Sequence, residues 1–174
     1  MRLQTMWKLA AGATLALAML ALPGQMLAQQ KSNTVLTAVD ARKILPPSVY
    51  YAGQTATTQL RNSGGVKFAD GLYVLATLVD NSGYSTDVAA KYQAYFIVET
   101  PITIGGKKLG AGIYGVGFIN DNKFVVTDVG AHDVLTATYA TDKEIKRPRP
   151  LEVLTNPGGG YRLYAGRKYV VFSR

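Results

Sequence analysis

The chain has 174 residues, with 19 lysines and arginines against 11 aspartates and glutamates, a single histidine and no cysteine. Without cysteine, neither disulfide stapling nor an N-terminal lipidated cysteine is available, so packing alone must hold the fold. The formal charge of +8 suggests a nucleic-acid binder until its distribution is read: residues 29–142 hold nine basic and nine acidic residues, whereas Lys143 to Arg174 hold eight basic and two acidic. A basic excess confined to the last 32 residues points to an anionic partner for that part of the chain, an acidic polysaccharide, a lipid headgroup or another envelope component, and argues against a general nucleic-acid binder.

In chain order, MRLQTMWK is followed by an apolar run from Leu9 to Leu22 and then PGQMLAQQ. This predicts a signal peptide over residues 1–28, cleaved near Ala28, with an apolar core too short to cross a bilayer. Export to the periplasm or the extracellular space is expected, and no later segment approaches the roughly 20 apolar residues of a membrane-spanning helix. Residues 29–47 read as an N-terminal helix or linker. In KSNTVLTAVDARKIL, Val35, Val39, Ile44 and Leu45 follow the possible cap Asn33 at near-helical spacing, and the helix is expected to stop before Pro46 and Pro47. SVYYAGQTATTQLRNSGG, polar and rich in small residues, is expected to be mostly loop.

Residues 48–174 read as a β-rich domain. GLYVLATLVD is an apolar run bounded by turn residues and predicts a buried strand. STDVAAKY predicts a short helix, with Ser85 as N-cap and Asp87 in the first turn. Strands are then expected at QAYFIVET, PITI, IYGVGFI and KFVVTDV, the last two joined at Asn120, Asp121 and Asn122. DVLTATYA, LEVLT, YRLYA and YVVFS complete the set, with NPGGG as a turn. This density of short strands predicts an all-β, mainly antiparallel fold, a sandwich or barrel with one or two short helices.

A pattern recurs three times, in GGVKFADGLY from Gly64, GGKKLGAGIY from Gly105 and GGYRLYAGRKY from Gly159. Each reads as turn, short strand, bend and strand, with Lys67, Lys108 and Arg162 sharing one slot. Within it, ITIGGKKLGAGIYGVGF resembles a segment of exported bacterial β-sandwich proteins and domains of unknown function, in which a glycine-lysine turn precedes L-x-A-G-x-Y and a strand. The resemblance spans about residues 98–129, with Gly110 where such segments often carry proline. It implies a β-sandwich-like fold and transfers no catalytic residue.

Several residues invite a chemical reading. Gly110, Gly112 and Gly115 form G-x-G-x-x-G, but a dinucleotide site needs those glycines to open a helix, and here they lead into a strand. His132 lies beside Asp133 and four residues after Asp128, so the three are weak candidates for a general base with its orienting carboxylate, in a small hydrolase or metal-dependent enzyme. One histidine and no cysteine do not make a zinc site, and no metal or other cofactor is expected. KRPRPLEV places Lys146, Arg147 and Arg149 among prolines, as an extended basic strip. Together with Arg162, Arg167 and Lys168 these are the candidate anion-binding residues. The leading expectation is a non-enzymatic exported binding or envelope-associated module. The alternatives are the hydrolase and a β-barrel carrier of an apolar ligand.

Overall fold

The computed structural model describes residues 32–174; the predicted signal peptide lies outside them. Fourteen strands and two short helices follow one another: β1 (Thr34–Leu36), α1 (Ala38–Ala41), β2 (Ser48–Tyr51), β3 (Gln54–Lys67), β4 (Tyr73–Val79), α2 (Thr86–Lys91), β5 (Ala94–Val98), β6 (Ile102–Ile104), β7 (Lys107–Leu109), β8 (Gly112–Ile119), β9 (Lys123–Thr127), β10 (Asp133–Thr138), β11 (Ala140–Thr141), β12 (Glu152–Thr155), β13 (Tyr161–Ala165) and β14 (Lys168–Ser173). All pairings are antiparallel. One sheet runs β1-β3-β4-β5-β8-β9-β10 with β2 also on β3; the other runs β12-β13-β14-β6-β7 with β11 also on β14. The expected all-β, antiparallel class with one or two short helices is what forms, with two.

The two sheets pack face to face. Alternate residues of the first, including Val74, Phe96, Val116 and Phe124, share one core with Ile104, Leu163, Val170 and Phe172 of the second. Phe96 and Phe172 meet edge to face, with ring centroids 6.4 Å apart, a geometry that aromatic quadrupoles favour. Gly64 brings β3 close to β12, since a Cβ there would lie 3.0 Å from the Val153 amide nitrogen.

The other face of the first sheet is covered as well. The β2–β3 hairpin turns at Ala52 and Gly53, with φ of +47° and +85°, the left-handed pair of a type I′ turn. The register of β3 against β4 breaks between Gln59 and Ser63, with β4 paired on both sides of the break; the early part of β3 pairs with β2 and the later part with β1. Val49, Tyr51 and Ala56 then pack with Val79, Tyr92 and Tyr95 in a second core. A sheet buried on both faces selects apolar residues at every position. That is why Val74, Leu75 and Ala76 of the GLYVLATLVD run are buried in succession.

Two segments differ from the sequence reading. Only one turn of the expected helix over residues 31–45 forms; Val35 instead sits in β1 opposite Val66. Asn33 accepts a hydrogen bond from the Ala69 amide at 2.9 Å and caps nothing. A free sheet edge offers β-branched Thr34 and Val35 more than an isolated helical turn does. Leu36, Ala41 and Leu45 pack on Leu75, which makes this segment part of the fold's core. The expected loop over residues 48–65 is the β2–β3 hairpin, because its threonines and tyrosines alternate faces under a sheet that needs covering. The helix capped by Ser85 forms as expected, its hydroxyl oxygen facing the Val88 amide. So does the turn into β9, where Asp121 and Asn122 both have positive φ.

Candidate anion-binding surface

The recurring glycines are packing and turn devices. Gly105 and Gly106 turn β6 into β7, and Gly159 and Gly160 turn β12 into β13, all with positive φ. Gly64 and Gly65, by contrast, lie inside β3. The first copy is therefore a different local structure, and Lys67 lies on the first sheet while Lys108 and Arg162 lie on the second. In the G-x-G-x-x-G run no helix follows. Gly115 leaves room for the Tyr51 ring, and a Cβ on Gly117 would meet the Lys91 carbonyl oxygen, at the end of α2, at 2.6 Å. Tyr114 folds back over Gly112, its hydroxyl donating to the Gly110 carbonyl at 3.1 Å.

Asp128 and His132 pair, and Asp133 does not join them. The Asp128 carboxylate accepts from the amides of Gly130 (2.9 Å) and His132 (3.0 Å) and lies 3.2 Å from the His132 Nδ1. The His132 amide, then its ring and the Gly130 amide, hold the Asp128 carboxyl below the usual carboxylate range. The histidine side chain is 82% exposed. Asp133 instead takes the Lys91 ammonium at 2.7 and 2.8 Å. A neighbouring cavity of about 110 Å³ is lined by Tyr51, Asp87, Val88, Lys91, Thr127 and Ala131, and by none of the three. At its floor Tyr51 and Thr127 hydrogen-bond through their hydroxyls, and Thr127 donates on to the Gly115 carbonyl at 3.1 Å. Among the described residues no group of three or more acidic, histidine or cysteine side chains is placed to hold a metal.

The basic residues resolve into two kinds, because the connection from β11 to β12 is tied down along its length. At its start, the Asp142 carboxylate accepts from the Tyr164 hydroxyl at 2.8 Å and from the amides of Glu144 (3.0 Å) and Ile145 (3.2 Å). An aspartate that bonds amides two and three residues on is a turn former. The Tyr164 hydroxyl first, then those amides and the Arg162 guanidinium at 3.5 Å, hold its carboxyl well below the usual range. Arg167, in the β13–β14 turn, reaches over with Nη1 to the carbonyls of Ile145 (2.8 Å), Lys143 (3.1 Å) and Asp142 (3.4 Å). Further along, the Gly166 amide donates to the Arg149 carbonyl at 3.0 Å.

This clamp curls the loop. The chain bends at Lys146 and Arg147, so the continuous extended strip expected from the prolines does not form. Three carbonyls gathered on one guanidinium override what Pro148 and Pro150 favour locally. Lys143, Lys146, Arg147 and Arg149 are left exposed. Arg149 approaches Glu152 at 3.8 Å with its side chain still 65% exposed. Arg162 is turned inward: it donates to Asn156 Oδ1 at 2.8 Å and to the Tyr164 hydroxyl at 3.1 Å, and stacks 4.4 Å above the Tyr169 ring. Lys168 rests 5.1 Å over Tyr139.

Of the six cations read from the sequence, Lys146, Arg147 and Arg149 thus lie on the exposed loop, while Arg162 and Arg167 build its support. Lys143 belongs with the exposed group and was missed as a site residue, although it heads the basic region. The signal for the support was Asp142 in TDKE, a turn-forming aspartate followed by residues that donate amides to it.

Comparison with protein-family models, curated proteins and solved structures found no match to this chain.

Proposed function

We propose that this chain is an exported, non-enzymatic β-sandwich binding module of the cell envelope, and that its ligand is an acidic polysaccharide held by the loop from Lys143 to Arg149. One observation carries the reading: four exposed cations ride on a loop whose own backbone is fixed by Arg167 and Asp142. A preformed cationic surface loses little order on binding, and guanidinium groups match sulfate and carboxylate geometry. The signal-peptide pattern supports export.

A glycan fits better than a bilayer. A membrane-seated loop inserts apolar side chains beside its charges, whereas Ile145, the one aliphatic side chain between Lys143 and Arg149, is half-buried. The hydrolase reading loses support from the Lys91–Asp133 pair, and the carrier reading from a core filled by Phe96, Phe172 and their neighbours.

The test is binding of the exported form to heparin and to polygalacturonate, with vesicles of phosphatidylcholine and phosphatidylglycerol in parallel. Wild type is expected to bind the glycans, and the variant carrying R147A and R149A to bind at least about tenfold more weakly. Preference for the vesicles, or equal binding by the variant, would contradict the reading.

A further inference from the structure

The six candidate cations read from the sequence do not play one role. We propose that Arg167 is a positioning residue: it shapes the glycan-binding loop through that loop's carbonyls and does not itself contact the ligand. The inference rests on the reading of the loop given under Proposed function and adds a division of labour within it.

The geometry is specific. Arg167 Nη1 lies 2.8, 3.1 and 3.4 Å from three carbonyl oxygens, of Ile145, Lys143 and Asp142, that belong to one short stretch of chain. Three carbonyl dipoles converging on a guanidinium partly offset its charge toward any outside anion. The same stretch is held a second time, independently, by the Asp142 carboxylate on the Tyr164 hydroxyl at 2.8 Å. Both anchors sit on β13 or on the turn that follows it, so the loop is fastened to the second sheet along the stretch from Asp142 to Ile145. Lys146 and Arg147 follow directly and take their placement from this fastening, while Arg149 is also held by the Gly166 amide on its carbonyl at 3.0 Å.

Positioning and direct contact differ in salt dependence. An ion pair to a polyanion releases counterions, so each contact steepens the fall of log affinity with log salt, by about 0.7 for single-stranded nucleic acids, a value taken over to a heparin chain. A residue that only orders the loop changes affinity and leaves that slope alone. The experiment is titration of a size-defined heparin oligosaccharide at several salt concentrations, using wild type, R167M, Y164F and the double variant R147A with R149A. Hydrogen exchange at the Glu144 and Ile145 amides is followed in the same proteins. Y164F removes the second anchor without changing any charge, so the test does not depend on one variant folding.

R167M and Y164F are each expected to bind about tenfold more weakly at fixed salt, with unchanged slope and faster exchange at both amides. The double variant should flatten the slope by about 1.4. A slope flattened by about 0.7 in R167M would make Arg167 a contact residue. Faster exchange with undiminished affinity would show that loop order does not serve binding. Either result overturns the proposal. Equal affinity of wild type and the double variant would instead remove the site itself, a failure recognisable because the exposed cations then have no effect.

Discussion

The ring of Tyr51 lies against Gly115: a Cβ on that glycine would come within 2.7 Å of Tyr51 Cε2 and 2.8 Å of Thr127 Oγ1. Gly115 faces Tyr95 on one neighbouring strand and Thr127 on the other, so the missing side chain is the slot that seats the β2–β3 hairpin on the sheet. Gly115→Ala is expected to destabilise the protein by about 2–3 kcal/mol through overpacking, measured by urea denaturation. A loss below about 0.5 kcal/mol would show that the hairpin shifts freely and is not seated by this contact.

Tyr92 stacks on Tyr51 with ring centroids 3.6 Å apart and 12° between planes, yet its buried hydroxyl has no hydrogen-bond partner. Removing an unpaired buried hydroxyl relieves its desolvation cost, so Tyr92→Phe is expected to stabilise by about 1 kcal/mol. Burial also pushes the Tyr92 phenol far above its ordinary value of 10.0. A raised folded-state value means stability complete below that ordinary value and lost as pH rises beyond it. Thermal melts at increasing alkaline pH should therefore fall less steeply in Tyr92→Phe than in wild type. Destabilisation by this variant would reveal a partner for the hydroxyl.

Asp142 sets the acid limit of the loop. Its carboxyl is held below the ordinary value of 3.8 by the Tyr164 hydroxyl first, then by the Glu144 and Ile145 amides and Arg162. A depressed folded-state value gives a contribution present above the ordinary value and lost as pH falls through the folded one. Exchange protection of Glu144 and Ile145 should persist to about pH 5 and disappear only in stronger acid. Asp142→Asn should weaken that protection at neutral pH and flatten its acid dependence. Loss of protection near neutrality in wild type would assign the loop's order to some other group.

The β class was legible because strand runs such as KFVVTDV and YVVFS alternate or bury β-branched residues between turn signals. The helix over residues 31–45 was not, since Val35 fits a helical face and a strand equally and only the free edge of β3 decides. The hairpin over residues 48–65 escaped notice because small polar residues such as Thr55 and Thr57 carry little apolar signal when one face of a strand is solvated. For the candidate site, the exposed arginines could be read from the basic run. The supporting roles of Arg162 and Arg167 could not, because they depend on the loop's fold, in which Asp142 and Tyr164 stand 22 residues apart in sequence and 2.8 Å apart in space. Asp133 leaves the apparent Asp128, His132 and Asp133 set for a related reason: Lys91, 42 residues away in sequence, takes its carboxylate, while His132 stays beside Asp128.

The central claim is that the loop from Lys143 to Arg149 is a cationic binding surface for an acidic polysaccharide. Its most direct measurement is the salt dependence of heparin binding by wild type. Three to four exposed cations predict log affinity falling linearly with log salt, with a slope between about −2 and −3. Binding that is indifferent to salt, or absent at low ionic strength, would contradict the account.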